Sequence, residues 1–192
     1  MRPQRGRTYF LSTFAIQLNA MPFFQLKTSN KTIRFHYYTS AAPVTVAAFN
    51  QQLPFTLTLM HARTSGHEIW TDKAPVLNII QENASIFTQP GEVVIGPLNP
   101  TRTKTSGCLG IYYGEGKGLD ACNIFAKVFD EDLDILKELG EEIWKKGGQK
   151  IIFETLSEEE EIIAAYDKAK AKKQKSSPAD DVFSRIERKK RR

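Results

Sequence analysis

The stretch FTLTLMHARTSGHEIWTD, residues 55–72, predicts two β-strands joined by a short turn. Residues 55–60 form a plain hydrophobic strand that runs on to Arg63. Ser65-Gly66 is a turn dipeptide, and residues 67–72 form the return strand. This hairpin indicates a fold built around a sheet, with a cluster of ionisable groups where the first strand ends.

One face of the first strand carries an apolar row that leads into this cluster. Alternate side chains of a strand share a face, so Phe55, Leu57 and Leu59 face the core, and His61 and Arg63 continue the row. An arginine on the core side is costly unless it is paired or reaches solvent. We therefore expect either that His61 and Arg63 line a pocket or that they lie at an exposed hairpin tip.

The return strand supplies an acid that could pair with this arginine. Glu68, Trp70 and Asp72 share a face, so Glu68 could reach Arg63 across the turn. An exposed ion pair of this kind stabilises a fold by well under about 1 kcal/mol. A bare hairpin tip does not need a tryptophan beside its ion pair, which favours the pocket.

The remaining sequence predicts a mainly β protein with short helices. Further strands are expected at residues 32–38, 92–95, 108–114, 120–129 and 149–156. A short helix begins near Pro43 and must end before Pro54. The glycine-rich GEGKG, residues 114–118, is expected to be a hairpin turn. Without βαβ alternation, we predict a β+α fold, a small closed β-barrel with two or three helices.

Two helices are predicted in the C-terminal third. Asp130 is the expected N-cap of the first helix, and Gly147-Gly148 ends it. Its apolar stripe comprises Leu133, Leu136, Leu139, Ile143 and Trp144. Ser157 and Glu160 form a capping box for the second helix.

Length and composition indicate one folded domain, because 41% of the 192 residues are hydrophobic. No apolar run is long enough to span a membrane. We divide the chain into an N-terminal extension or organelle transit segment (1–29), a barrel domain (30–156), a C-terminal helix (157–175) and a mobile basic tail (176–192). An intracellular, cytoplasmic location is expected, with mitochondrial and nuclear locations as alternatives.

Motifs for metals and nucleotides are missing from the sequence. Cys108 and Cys122 lack metal-ligand spacing and are expected to be reduced core residues. The chain has three histidines and no glycine-rich phosphate loop, so we expect no metal and no cofactor. Seven Lys or Arg residues precede the first acid, Glu68, but the net charge is only +5. Nucleic-acid binding is therefore the less favoured alternative.

Several polar residues outside the hairpin are further candidates for the site. Tyr112 and Tyr113 end a predicted strand, where a phenol could donate into a site or simply pack. Asn123 lies in an otherwise apolar strand and must be satisfied by backbone or by a ligand. Asn83 could cap a turn or contact a ligand.

Five segments, in order, resemble an uncharacterised family of cyclophilin-like proteins. They are LMHARTSGHEIW, ENASIFTQPGEVVIGP, IYYGEGKG, NIFAKV and LGEEIWKKGGQKIIFE, within residues 30–156. The resemblance implies a small cyclophilin-like barrel that lacks the active-site pattern of a prolyl isomerase. More distantly, the fold resembles cucumopine synthase, which condenses an amino acid with a keto acid in a Pictet–Spengler reaction. By analogy of fold, such a barrel can host small-molecule chemistry.

One departure from the family pattern concerns the acid. Family members read Ser-Gly-Glu where this chain reads Ser65-Gly66-His67-Glu68. A shift of one residue turns a strand side chain to the other face unless a β-bulge absorbs it. Either His67 or Glu68 therefore faces the pocket.

We expect a small-molecule enzyme or binding protein for a carboxylate-bearing, anionic metabolite, with a lyase or Pictet–Spengler-type condensation as the reaction class. Catalytic roles in proton transfer are assigned to His61, Glu68 and Tyr112. Substrate contacts are assigned to Arg63, Ser65, His67, Trp70, Asn83, Tyr113 and Asn123. A barrel that binds a ligand without chemistry is the alternative, and a homo-oligomer is compatible with either function.

Overall fold

A computed structural model describes residues 23–99 and 105–157, together with 160, 162, 163, 166, 167, 169 and 170. The strands in this part of the chain are β1 (Phe23–Lys27), β2 (Thr32–Tyr37), β3 (Phe55–His61), β4 (Gly66–Thr71), β5 (Ala84–Thr88), β6 (Glu92–Ile95), β7 (Leu109–Val128) and β8 (Gln149–Thr155). Its helices are α1 (Pro43–Asn50) and α2 (Leu133–Lys146), the latter preceded by a 3-10 turn at Asp130–Asp132. The predicted β+α class is confirmed.

The strands form a closed ring of antiparallel pairs. The order is β2, β1, β8, β3, β4 and β7, and β7 pairs again with β2 through Phe35 and Val128. Strand β1 is part of this ring, although it precedes the predicted domain boundary at residue 30. Because the ring closes, its interior is shielded from water on every side by backbone-paired strands.

Strand β7 gives the ring its unusual shape. Its first part pairs with β4 and β6, and its second part pairs with β6, β5 and β2. The predicted hairpin turn at residues 114–118 is therefore wrong, since both parts run antiparallel to β6 within one continuous strand. These glycines serve close packing: a Cβ on Gly116 would lie 2.2 Å from Cε1 of Tyr112.

Aromatic side chains fill the interior of the ring. Phe49 of α1 packs between Phe125, with ring centroids 4.7 Å apart, and Phe24, at 5.2 Å. Phe24, Phe49 and Phe125 are fully buried. Aromatic pairs at these distances add about 0.5–1.5 kcal/mol each beyond the area they bury. The short helix α1 thus supplies a central part of the core, as its position between Pro43 and Pro54 allows.

Helix α2 packs against the core of the ring and ends before Gly147 as predicted, but it differs from its prediction at its start and at Trp144. Asp130 does not cap it; it opens the 3-10 turn, and the carboxylate of Asp132 binds Arg34 instead, accepting from the backbone N at 2.8 Å and from Nε at 2.9 Å. Leu136, Leu139 and Ile143 are buried as predicted. The prediction that Trp144 completes the buried stripe is wrong, because its indole is 64% exposed.

The C-terminal capping box is confirmed in the described residues. The Ser157 backbone N donates to Glu160 Oε2 at 2.8 Å, and the Glu160 N donates to Ser157 Oγ at 3.3 Å. Residues 1–22 of the predicted extension (1–29) and the predicted tail (176–192) lie outside the described residues. Within the described part of the chain, no helix combines the length and apolar character needed to cross a bilayer.

Candidate functional site

The β3–β4 connection opens onto a cavity of about 610 Å³. Strand β3 ends at His61, so the apolar row does not extend to Arg63, which lies exposed in the connection and lines the cavity. The Ala62 backbone N donates to the Glu68 carbonyl at 2.8 Å and holds the two strands together beyond the end of β3. Among the described residues, no ion pair joins Arg63 to Glu68, so the exposed Arg–Glu pair is not formed.

A β-bulge decides which residue of the pair His67–Glu68 faces the cavity. The register of β4 on β7 shifts between Gly66 and Glu68, and Gly66 adopts φ of 93°, a conformation suited to glycine. Glu68 consequently lines the cavity. His67 points to the opposite face of the sheet, where its ring lies 5.3 Å from that of Tyr113.

Glu68 contributes a buried carboxyl group to the wall of the cavity. It is 8% exposed, and its carboxyl interacts with the hydroxyls of Ser65 and Tyr112. Burial raises the pKa of Glu68 above its ordinary value of 4.5, while the two hydroxyls oppose that rise. Gly110 makes room for this carboxyl, because a Cβ there would lie 2.1 Å from Glu68 Oε1.

Tyr112 stands beside Glu68 on the neighbouring strand, in register with it. Burial, and then the charge of Glu68, raise the pKa of Tyr112 far above its ordinary value of 10.0. Its phenol therefore stays protonated and can donate a hydrogen bond at any physiological pH. The sheet thus brings together three predicted site residues: Glu68, Tyr112 and Ser65.

The other cavity walls combine aromatic, apolar and polar side chains. Trp70 and Trp144 supply the aromatic surface, and Asp120 adds a second carboxylate. The Thr105 hydroxyl is buried in the wall, and its polar neighbour is the Cys122 thiol, a weak partner that makes no hydrogen bond of good geometry with it. A ligand with polar groups would find acceptors, donors and flat apolar surface within one cavity.

His61 lies at the edge of the cavity, but protein atoms occupy both of its ring nitrogens. Nδ1 is 2.6 Å from the Ala62 carbonyl, which can only accept, so Nδ1 carries the proton. Nε2 is 2.6 Å from the Tyr113 hydroxyl. In the neutral ring, Nε2 accepts this hydrogen bond from Tyr113. The structure therefore groups His61 with Tyr113 and His67, and does not place it with Glu68.

The two asparagines predicted to contact substrate, Asn83 and Asn123, have structural partners outside the cavity. Asn123 is fully buried; its Nδ2 donates to Thr45 Oγ1 at 2.9 Å and to the Ile80 carbonyl at 2.8 Å. Asn83 adopts φ of 44°, and its Nδ2 donates to the Ile124 carbonyl at 2.7 Å. Both side chains fix the backbone around β5.

Cys108 and Cys122 form no disulfide within the described part of the chain, and both line the cavity. Burial raises the pKa of Cys122 to about 12 and also raises that of Cys108, so both are thiols at neutral pH. Within the described residues, no three His, Cys, Asp or Glu side chains cluster closely enough to hold a metal ion.

The cavity residues that sequence reasoning missed include Met60, Gly110, Asp120 and Trp144. The period of the β3 strand gave a signal for Met60, since Met60 pairs with Trp70 across the β3–β4 ladder. The other three positions depend on the path of β7 and on where α2 rests on the sheet. Those are tertiary facts that the local sequence does not encode.

Two solved structures align with this chain at low sequence identity. One described as "Structure of McbB in complex with tryptophan" aligns with a TM-score of 0.55 and 16% identity over 70% of this chain. This chain spans 45% of the length of that protein. The solution structure of the hypothetical protein AF2241 from Archaeoglobus fulgidus aligns over 71% of this chain and 96% of its own, with 14% identity and a TM-score of 0.49.

No curated protein matches the sequence significantly. Residues 24–155 match one family over the whole ring, from β1 to the end of β8. The chain therefore belongs to the family described as "Protein of unknown function (DUF3830)".

Proposed function

We propose that the protein is a small-molecule enzyme in which Glu68 transfers a proton to or from a carboxylate-bearing ligand held in the cavity. The observation that carries this proposal is the placement of Glu68: a buried carboxyl of raised pKa, beside two hydroxyls, in the wall of a cavity of about 610 Å³. A carboxyl tuned upward by burial is suited to general acid–base work near neutral pH.

The size and chemistry of the cavity support a small, partly aromatic ligand. Ligand sites commonly have volumes of about 300–1,000 Å³ with mostly apolar walls and a few convergent polar groups. Arg63, which is exposed and has no carboxylate partner among the described residues, can bind a ligand carboxylate with two parallel hydrogen bonds. The buried Thr105 hydroxyl offers a further polar contact.

The reaction class we propose is a lyase or Pictet–Spengler-type condensation. In the condensation, an ammonium group and a carbonyl lose water to form an iminium, an aromatic carbon attacks it, and the ring then loses a proton. Glu68 as carboxylate would accept that proton, and the Tyr112 hydroxyl would donate to the oxygen that leaves as water. The neighbour solved with tryptophan makes amino acids the first ligands to try. We also propose that the ring of strands has a cyclophilin-like topology.

Ligand binding without chemistry is the second candidate, and one observation favours it. Both ring nitrogens of His61 are bound to protein atoms, so this histidine has no free nitrogen with which to move a ligand proton. Glu68 and Tyr112 would then be the predicted catalytic residues that meet the ligand, and their role would be recognition alone.

A thermal-shift screen of amino acids, keto acids and aromatic carboxylates on the full-length protein tests the proposal. Hits are then titrated by calorimetry with wild type, Arg63→Ala and Glu68→Gln. The matched controls are Lys73→Ala and Glu115→Gln, which change exposed charges of the same sign outside the cavity. Turnover of binding hits, alone and in amine–carbonyl pairs, is followed by mass spectrometry.

The enzyme proposal predicts that Arg63→Ala weakens binding by about 10-fold or more, as loss of a charge-assisted pair should. It also predicts that Glu68→Gln lowers turnover by about 10²–10⁴-fold with a smaller change in affinity. Binding that is lost equally in both variants, without any turnover by wild type, would identify a binding protein. Unchanged binding in both variants would reject the site.

A further inference from the structure

Three of the large apolar side chains that are exposed in the described structure lie at the cavity. Met60 of β3, Trp144 of α2 and Leu119 of β7 are 46%, 64% and 64% exposed, and all three line the cavity. We call these three residues the mouth collar. They come from three different elements, so no single amphipathic pattern accounts for their exposure.

Trp144 is held in place by a rigid base. Its indole lies on the His61 ring, with centroids 4.6 Å apart and an interplanar angle of 57°. His61 in turn is fixed by its two hydrogen bonds of 2.6 Å, to Ala62 and Tyr113. The exposed indole therefore rests on a side chain that cannot easily rotate, and its outer face is available to a ligand.

The approach of α2 to the sheet determines where Trp144 stands. Gly140, one turn before Trp144, touches the Tyr113 ring so closely that a Cβ there would lie 2.3 Å from Cδ1. This close contact lets the last turn of α2 lie at the cavity, where Gly147 and Gly148 complete the wall next to Met60.

We infer that Trp144 determines the specificity of the site by stacking on a flat aromatic part of the ligand, while the polar end of that ligand lies at Arg63 and Glu68. This inference rests on the proposed function and specifies its ligand class as amphiphilic aromatic carboxylates. The collar faces the same cavity as the polar groups, so one ligand can meet both. A flat ring gains an offset or tilted aromatic contact with the indole, whereas a puckered ring of similar size does not.

The test compares 4-nitrobenzoate with cyclohexanecarboxylate, which share the carboxylate and differ in the flatness of the ring. Both are titrated by calorimetry into the full-length wild type, Trp144→Ala and Trp144→Phe. Phe87→Ala is the matched control, because Phe87 is an aromatic residue 63% exposed that does not line the cavity. Trp70→Phe leaves Trp144 as the sole tryptophan of the chain, so quenching of its emission by 4-nitrobenzoate reports direct contact.

We expect wild type to prefer the flat ring and Trp144→Ala to lose about 3- to 10-fold in affinity for 4-nitrobenzoate. Trp144→Phe should retain most of that affinity, and Phe87→Ala should match wild type. In the Trp70→Phe protein, 4-nitrobenzoate should quench Trp144 emission over the same concentration range in which calorimetry shows it binding to that variant.

The inference about Trp144 fails if Trp144→Ala binds 4-nitrobenzoate as wild type does while Arg63→Ala binds it weakly; the proposed site then stands. If neither variant alters binding, or wild type binds neither carboxylate, both the site and the inference fail. Sedimentation of wild type and Trp144→Ala provides a further check. A dimer that dissociates on this substitution would mean that the collar contacts a second copy of the chain, which would overturn the ligand assignment.

Discussion

The two faces of β4 and β7 differ completely although the same two strands build them. On one face Ile69 and Ile111 pair in the dry core, fully buried. On the other face their sequence neighbours Glu68 and Tyr112 pair in the wall of the cavity. Alternation along the strand thus separates the core from the wall of the cavity by the thickness of a single backbone.

What distinguishes the two faces is the element that covers them. Helix α2 lies on the core face, where Gly140 contacts Tyr113 and Leu136 and Leu139 are buried. On the cavity face α2 contributes only its last turn, at Ile143 and Trp144, and the space beside Glu68 and Tyr112 stays open because Gly110 and Gly116 carry no side chain. The covered face stabilises the fold, whereas the open face can receive a ligand.

The largest expected difference between the faces is in stability. Ile69→Ala should lower the free energy of unfolding by about 2–5 kcal/mol, because it leaves a cavity in the close-packed core. Trp70→Ala, on the next residue, should lower it less, since the indole is only half-buried and lines space that is already open. Urea denaturation of both variants checks this. A larger loss of unfolding free energy for Trp70→Ala would mean that the cavity face contributes as much to stability as the core face.

Filling the space beside Glu68 should be the next largest effect. Gly110→Ala places a methyl group against the Glu68 carboxyl and should lower the free energy of unfolding by about 1–3 kcal/mol through overpacking. The double variant Gly110→Ala/Glu68→Ala should recover much of that loss. Thermal melts of the single and double variants measure the coupling, and simple additivity would contradict the contact.

Removing the buried acid should change how stability depends on pH. The raised pKa means that folded protein holds the Glu68 proton more tightly than the unfolded chain does, so this contribution is greatest below pH 4.5 and is lost as pH rises through the folded-state pKa. Glu68→Gln lacks it, and its melting temperature relative to wild type should rise across that window. Melts from about pH 4 to about pH 9, with Glu115→Gln as control, test the sign.

The smallest expected effects come from the adjacent residues Tyr112 and Tyr113, whose substitutions should change different properties. Tyr113→Phe removes the hydrogen bond to His61 and should cost about 1 kcal/mol of stability without altering Glu68. Tyr112→Phe removes a hydroxyl that lowers the pKa of Glu68, so that pKa should rise further. Carboxyl ¹³C NMR titration of both variants distinguishes them; equal shifts of the Glu68 pKa would show that the two faces are not independent.

Periodicity predicted the strands of the hairpin and the fold class, because alternation directly reports which side chains a sheet buries. Periodicity made Glu68 a candidate for the site, whereas Tyr112 became one, with Tyr113, from its position at the end of a predicted strand. It could not decide between His67 and Glu68, since a bulge is a property of the β4–β7 register rather than of either strand alone. It also misplaced Trp144, because a helical stripe shows which side is apolar but not where the underlying sheet ends.

Strand β7 also has a consequence for how the protein folds. It pairs with β2, which lies far earlier in the chain, and with β4, β5 and β6, so neither face of the site exists until β7 is in place. Such non-local pairings require large loops to close and slow the folding of β proteins. Amide protons of β7 should therefore exchange with solvent only when the whole ring opens, and the rate of assembly should depend on this one strand.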